Sequence, residues 1–375
     1  MRDLLLPKSG QGSAQLPARV FYPATRPGPS APLRSRKTPY PTIVFMAGTG
    51  ARGRDYVEIG YELASHGFIA VMSDAPVNAF ALQVKNARSL HAALIALNRN
   101  KKSFLYQQMR TERLALLGHS CGGSHVAHVL AKNPGYVCGV AYAPYLGLGL
   151  GYTKPYSPLV KVPILVIGGK GDKISTAKDH VRGFFEELSA VRGHKVLQIL
   201  DSRCTHYNIA AYVSSQRKID HRVFKAVHRS VRAWLRTWIE NDFAKLNAVA
   251  GDSARREALI DQILIQTERP SAWIKEPIRL GSNAAFQLIA EQGVGIWWLS
   301  QGVARRPIPT PWGSIELNPK SAIHLFSVPT SASGFTSATV YLPRMASPKK
   351  IRVALQVIAL GRNGYRLSNL IKVRP

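Results

Sequence analysis

Leu114-Ala115-Leu116-Leu117-Gly118-His119-Ser120-Cys121-Gly122-Gly123 decides how this chain is read. A short apolar run, the mark of a buried strand, ends at Gly118, and an amphipathic helical pattern opens near Ser124. Glycine lets a backbone turn sharply without a Cβ clash, so the pattern predicts a serine raised on a tight strand-to-helix turn. The N-terminus of the following helix would aim its dipole and free N–H groups at any negative charge that develops there. A serine hydroxyl becomes a nucleophile only when a base takes its proton and an acid orients that base, so neighbouring loops must supply both. The bland alternative is a glycine-rich turn whose serine caps the helix.

Working outward, short apolar runs alternate with longer amphipathic stretches. Strands are expected at Ala18 to Tyr22, Thr42 to Met46, Ile69 to Ser73, Arg113 to Leu117, Gly139 to Ala143, Ile164 to Ile167 and Val196 to Leu200. Helices are expected near Asp55 to Ser65, Val84 to Asn98, Ser124 to Asn133, Lys178 to Val191 and Lys218 to Phe243. This alternation predicts an α/β fold, a doubly wound and mostly parallel sheet covered on both faces. Asp252 is expected to cap a further helix, Ser253 to Gln266, before Pro270 punctuates the chain. Beyond it, β-prone runs at 285–289, 296–299, 323–328, 336–342 and 351–360 predict a small all-β, sandwich-like domain. The expected organisation is a catalytic domain over 1–250, a helical linker over 251–277 and a β-domain over 278–375.

The partners of Ser120 are sought at strand ends. Pro163 to Asp172, PILVIGGKGD, is an apolar strand closing in a glycine-rich loop, which places the Asp172 carboxylate at the sheet's edge. Asp179 falls inside the next helix, whereas Asp201 closes the next strand and is the stronger rival. Cys204-Thr205-His206-Tyr207-Asn208 follows the last sheet strand and offers His206 as the base. The resulting order of serine, acid and histidine is that of α/β-hydrolases. The backbone N–H of Cys121, with one from Ala47-Gly48-Thr49-Gly50 after the second strand, would form the oxyanion hole, Thr49 being the expected donor. The Cys121 side chain itself is not expected to be the nucleophile, since the residue after the central serine contributes mainly its N–H. His125 and His128 could make half of a metal site, but no third ligand stands at a recognisable spacing, so no metal or cofactor is predicted.

Within the α/β-hydrolases the chain resembles the dienelactone-hydrolase-like branch that contains bacterial cutinases and polyester hydrolases. The matching stretches are Leu16 to Pro23, Gly48 to Phe68 ending in LASHGF, GHSCGG, PILVIGGKGD and THYN, over roughly residues 1 to 245. The resemblance implies Ser120 as nucleophile, Asp172 as acid, His206 as base, and Thr49 and Cys121 as oxyanion donors. It also implies an ester cleft lined by Gly48, Thr49, His119 and Tyr145. Cutinases usually carry an aromatic residue where Thr49 stands, methionine at Cys121 and tryptophan at Tyr145. The tail is similar to a C-terminal β-sandwich domain of secreted bacterial proteins, through Ile278 to Ser282, Pro309 to Gly313 and Arg366 to Asn369.

Fifty Lys and Arg against 21 Asp and Glu leave a net charge of +29, while a hydrophobic fraction of 46% is enough for a packed core and excludes a disordered chain. From Gly251 onward 16 basic residues face 7 acidic ones, so both parts of the chain are basic. Arg222, Lys225, Arg229, Arg232 and Arg236 recur at helical spacing, a candidate anionic-surface patch whose simpler reading is a solvated face. No nucleic-acid motif accompanies the charge, and no apolar run reaches the ~18 residues of a membrane span. Three cysteines without CxxC spacing imply neither a disulfide framework nor a thiolate zinc site. A chain that had lost a leader would be secreted or periplasmic; one with its own N-terminus would be cytoplasmic. The function expected is a serine carboxylic-ester hydrolase acting on a small or polymeric ester. An amidase or thioesterase on the same residues, or an inactive surface-binding protein, are its rivals.

Overall fold

An antiparallel pair, β1 (Arg2–Pro7) and β2 (Gln15–Phe21), opens the chain and borders a sheet built by the apolar runs that follow. These are β3 (Thr42–Met46), β4 (Ile69–Ser73), β5 (Leu114–His119), β6 (Tyr136–Tyr142), β7 (Ile164–Gly169) and β8 (His194–Leu200), with β9 (Ile260–Thr267) on the far edge. The strand order is β1-β2-β4-β3-β5-β6-β7-β8-β9; β2 meets β4 antiparallel, and the pairs from β4 through β8 are parallel. Every residue of β3, β4, β5, β7 and β8 is buried, as expected of strands covered on both faces and rich in Val, Ile and Leu. The helices between them are α1 (Val57–Ser65), α2 (Phe80–Arg99), α3 (Cys121–Lys132), α4 (Gly183–Glu187) and α5 (His221–Glu240).

The computed structural model describes residues 1–7, 15–74, 80–147, 156–191, 193–212, 219–267, 270–274, 282–290, 293–301, 303–310, 313–330, 335–342, 353–361, 364–369 and 371–373. They divide into two units. The first comprises Met1–Val191, Lys195–Asn241 and Glu257–Gln262, and the second Arg192–His194, Asp242–Arg256 and Ile263–Pro375. One expectation changes. The helix expected over 253–266 is a single turn, α6 (Asp252–Arg255), followed by strand β9. The run Ile260 to Ile265 is rich in β-branched residues, and the open edge of β8 offers backbone groups that a helix would leave unpaired. The helix expected over 178–191 forms over 177–187, as a π-helical stretch, Ala177–Arg182, that runs directly into the short α4. Helix α5 starts later than expected, where the Asp220 side chain accepts the Arg222 N–H, and ends at Asn241 with φ +60°. Lys218 lies outside the described residues.

The second unit is antiparallel. Strands β10 (Ser271–Ile274), β11 (Ser282–Ile289) and β16 (Phe335–Leu342) make one sheet. Strands β12 (Gly293–Gln301), β15 (Ile323–Thr330), β17 (Val353–Gly361), β18 (Gly364–Leu367) and β19 (Ile371–Val373) make another. A hairpin of β13 (Val303–Thr310) and β14 (Gly313–Leu317) completes it. Phe286 and Leu288 from the first sheet and Trp297, Leu355 and Val357 from the second share one buried core, with Trp297 stacked on Phe326 at 5.6 Å. The chain is thus an α/β hydrolase fold with a small β domain. The quoted tail residues 278–281, 311 and 312, and the first two of the strand expected over 351–360, lie outside the described residues.

Candidate active site

Strands β3 and β5 are neighbours, with Met46 in register with Gly118, although the chain visits β4 on the other side of β3 between them. That reversal of direction opens a crevice at the strands' carboxyl ends. The 47–50 loop and Ser120 therefore meet there. Ser120 adopts φ +56° and ψ −123°, a conformation costing about 1–3 kcal/mol in a non-glycine residue. Its N–H donates to the Tyr142 carbonyl at 3.0 Å, while its own carbonyl accepts from Tyr145 at 3.1 Å and Ser124 at 3.2 Å. The flanking glycines are required by backbone packing: a Cβ on Gly118 would stand 2.2 Å from the Gly122 oxygen, and one on Gly122 2.4 Å from the Met46 and Ala47 oxygens.

The loops after β7 and β8 are drawn together in the same way. A Cβ on Gly169 would lie 2.1 Å from the Cys204 oxygen, and one on Gly171 2.1 Å from the Ser202 oxygen. This contact delivers Asp172 to His206, whose Nδ1 stands 2.8 Å from Asp172 Oδ2 with both side chains buried. Asp172 Oδ1 accepts the N–H groups of Ile174 and Ser175 at 2.8 and 2.7 Å, which fixes the carboxylate. Since the carboxylate accepts, Nδ1 carries the proton, and Nε2 is left as the basic nitrogen. The rival carboxylates are occupied elsewhere: Asp201 by the backbone and guanidinium of Arg203, and Asp179 by the Thr176 hydroxyl.

Tyr56, which no sequence signal singled out, sits at the centre of the site's buried side. Its hydroxyl lies 3.0 Å from the Gly48 N–H and 3.0 Å from His119 Nδ1, and His119 Nε2 is 2.9 Å from the His206 carbonyl. Gly48 and His119, expected to line the ester cleft, are buried, and the Gly48 N–H and both imidazole nitrogens have partners within the protein. Burial, helped by the charge of His206, holds the His119 imidazole far below its ordinary range, so it is neutral. Thr49 is exposed beside Ser120. The Cys121 thiol is buried, and burial raises it above its ordinary range. Tyr145 is half-buried and stacks on His180, ring centroids 4.7 Å apart.

On α5, Arg222 pairs with Asp220, Arg229 with Glu257, Arg232 with Glu62 and Arg236 with Glu240, so most of the cationic stripe already has carboxylate partners. His125 and His128 are buried on α3, and His128 stacks on Tyr156 at 3.7 Å. Among the described residues no three His, Cys, Asp or Glu side chains cluster as metal ligands, and no helix is long and apolar enough to cross a membrane.

Comparison with known proteins places these elements in context. Residues 19–262 match the family model described as PETase, PET hydrolase-like. Cutinase 2 of Thermobifida cellulosilytica is 26% identical over 205 residues, covering 54% of this chain and 70% of that protein. Cutinase cut1 of Thermobifida fusca is 26% identical over 205 residues, covering 54% of this chain and 57% of that protein. A bis(hydroxyethyl) terephthalate hydrolase of Streptomyces coelicolor is 25% identical over 166 residues, covering 44% and 50%. The matched segments thus span between 50% and 70% of these relatives' lengths.

Proposed function

Because the chain belongs to the PET hydrolase-like family, we propose that it is a serine carboxylic-ester hydrolase in which Ser120, His206 and Asp172 carry the reaction. The observation that supports this most is the buried 2.8 Å contact between His206 Nδ1 and Asp172 Oδ2 at the same sheet edge as the Ser120 turn. His206 Nε2 takes the Ser120 proton as Oγ attacks the ester carbonyl, and Asp172 holds the imidazole tautomer and stabilises its cation. The backbone N–H groups of Thr49 and Cys121 receive the oxyanion. Proton return from His206 expels the alcohol, and water, activated by the same nitrogen, releases the acid from the acyl-enzyme.

The ester is small or polymeric, and its acyl part enters beside Thr49, Cys121 and Tyr145. The cutinases of Thermobifida and the terephthalate-ester hydrolase of Streptomyces point to polyester-type substrates. Thr49 and Cys121 present less apolar surface than the aromatic residue and methionine usual in cutinases, which favours aliphatic over aromatic acyl groups. Hydrolysis of a p-nitrophenyl ester series from short to long acyl chains tests the reading, with Ser120→Ala alongside. The variant should fold normally and lose turnover by about four to six orders of magnitude. Retained turnover in the variant, or no hydrolysis of any ester by the folded protein, would overturn it.

A further inference from the structure

We propose that Tyr56 and His119 are positioning residues that lock the oxyanion loop to the loop carrying His206 through one directed chain of hydrogen bonds, Gly48 N–H to Tyr56 hydroxyl, Tyr56 O–H to His119 Nδ1, and His119 Nε2–H to the His206 carbonyl. The inference rests on the assignment of Ser120 and His206 above and adds to it residues that touch no substrate.

The direction follows from the groups themselves. A carbonyl oxygen only accepts, so His119 Nε2 must carry hydrogen. In the neutral ring Nδ1 then only accepts, so the Tyr56 hydroxyl must donate to it and is left to accept from the Gly48 N–H. The Tyr56 hydroxyl and the His119 ring each accept once and donate once, and with the ring neutral no second arrangement of the protons satisfies all three contacts. Burial keeps both side chains in the required form: Tyr56 is 1% exposed and its phenol is pushed up, away from ionisation, while His119 is 3% exposed and stays neutral.

The oxyanion loop, the end of β5 and the loop carrying His206 are tied by these contacts. Gly48 immediately precedes Thr49, His119 immediately precedes Ser120, and the His206 carbonyl belongs to the base itself. The loops approach so closely that a Cβ on Gly48 would stand 3.1 Å from the Tyr56 hydroxyl and 3.2 Å from the Ser120 Cβ. Tyr56 is itself held by Phe45 at 4.7 Å and Tyr212 at 5.3 Å between ring centroids, so its hydroxyl has little freedom to follow a moving loop. The distance from oxyanion donor to nucleophile to base is therefore set from beneath the site by one phenol and one imidazole. Misplacing such groups by about 1 Å costs on the order of a hundredfold in rate.

The test compares Tyr56→Phe, His119→Leu and His119→Gln with the wild type on p-nitrophenyl butyrate, each rate being divided by the number of serines titrated with a fluorophosphonate. Tyr56→Phe and His119→Leu should lower kcat per titrated site by about 10- to 100-fold with KM within about threefold of wild type. The glutamine amide can both accept from Tyr56 and donate to the His206 carbonyl, so His119→Gln should recover most of what His119→Leu loses. Wild-type kcat per titrated site in Tyr56→Phe, or a loss confined to the number of titratable sites, would overturn the proposal. Should Tyr56→Phe not fold, equal activity of the glutamine and leucine variants overturns it. Ser120→Ala, run in parallel, separates this outcome from failure of the underlying assignment, since only that failure leaves Ser120→Ala active.

Discussion

Replacing His228 by phenylalanine should flatten the acid side of the protein's stability curve. His228 lies on α5, fully buried, with its ring 4.2 Å from Phe224 and 5.8 Å from Tyr142 between centroids. Neither ring nitrogen has a hydrogen-bond partner among the described residues. Burial, with a smaller contribution from the charge of His66, pushes its pKa from the ordinary 6.5 down to about 3. The folded state therefore keeps His228 neutral, while the unfolded chain binds a proton as pH drops below 6.5. Stability contributed by the neutral form is present above pH 6.5 and is lost progressively as pH falls toward about 3, at about 1.4 kcal/mol per pH unit. Between pH 7 and pH 5 this amounts to about 2 kcal/mol. Guanidinium unfolding of wild type and His228→Phe at both pH values measures it. At pH 7 the variant should lie no more than about 1–3 kcal/mol below the wild type, because the phenyl ring is larger than imidazole in a closely packed site; that cost is the same at both pH values and cancels from the comparison. At pH 5 the variant should have kept about 2 kcal/mol that the wild type has lost. His194, also buried and pushed down to about 3, retains its own share in both proteins, so the variant is flattened and not flat. A variant that loses as much as the wild type, within about 0.5 kcal/mol, would refute the argument that His228 is buried neutral.

Gly122→Ala should abolish ester hydrolysis and destabilise the fold by at least about 1–3 kcal/mol, because the new methyl would stand against the Met46 and Ala47 oxygens and not against flexible side chains. Thermal unfolding and turnover measure the two effects, and wild-type values in both would show that the turn can relax. Cys121, Cys138 and Cys204 are all buried and unpaired, and burial raises each thiol above its ordinary range. Ellman's reagent at pH 8 should accordingly find almost no reactive thiol in the native protein and all three after denaturation; fast native labelling would contradict the packing.

Much of the fold was legible because its determinants are local. An apolar run bounded by glycine and proline reads as a buried strand wherever it lands, and β3, β4, β5 and β7 fall within a residue or two of expectation. The glycines around Ser120 could be read as a tightly folded turn, and a Cβ at Gly118, Gly122 or Gly123 meets a backbone oxygen within 3 Å. What failed was the segment over 253–266, where local pattern allows either helix or strand and the edge of β8 chooses. The cationic stripe on α5 is equally plain in the sequence, but Glu62 and Glu257, which meet two of its arginines, lie far from it along the chain.

The sequence by itself determined that a serine stands between a strand and a helix, which chain order the acid and histidine follow, and that an antiparallel β unit comes after. Each of these depends on periodicity, chirality and steric size within a few residues. Only the tertiary structure showed which carboxylate meets His206 and which pairs with Arg203, and that Gly48 and His119 are buried against Tyr56. Those outcomes depend on which strand ends lie side by side and on which donors and acceptors remain unpaired when they do, and no spacing along the chain encodes either.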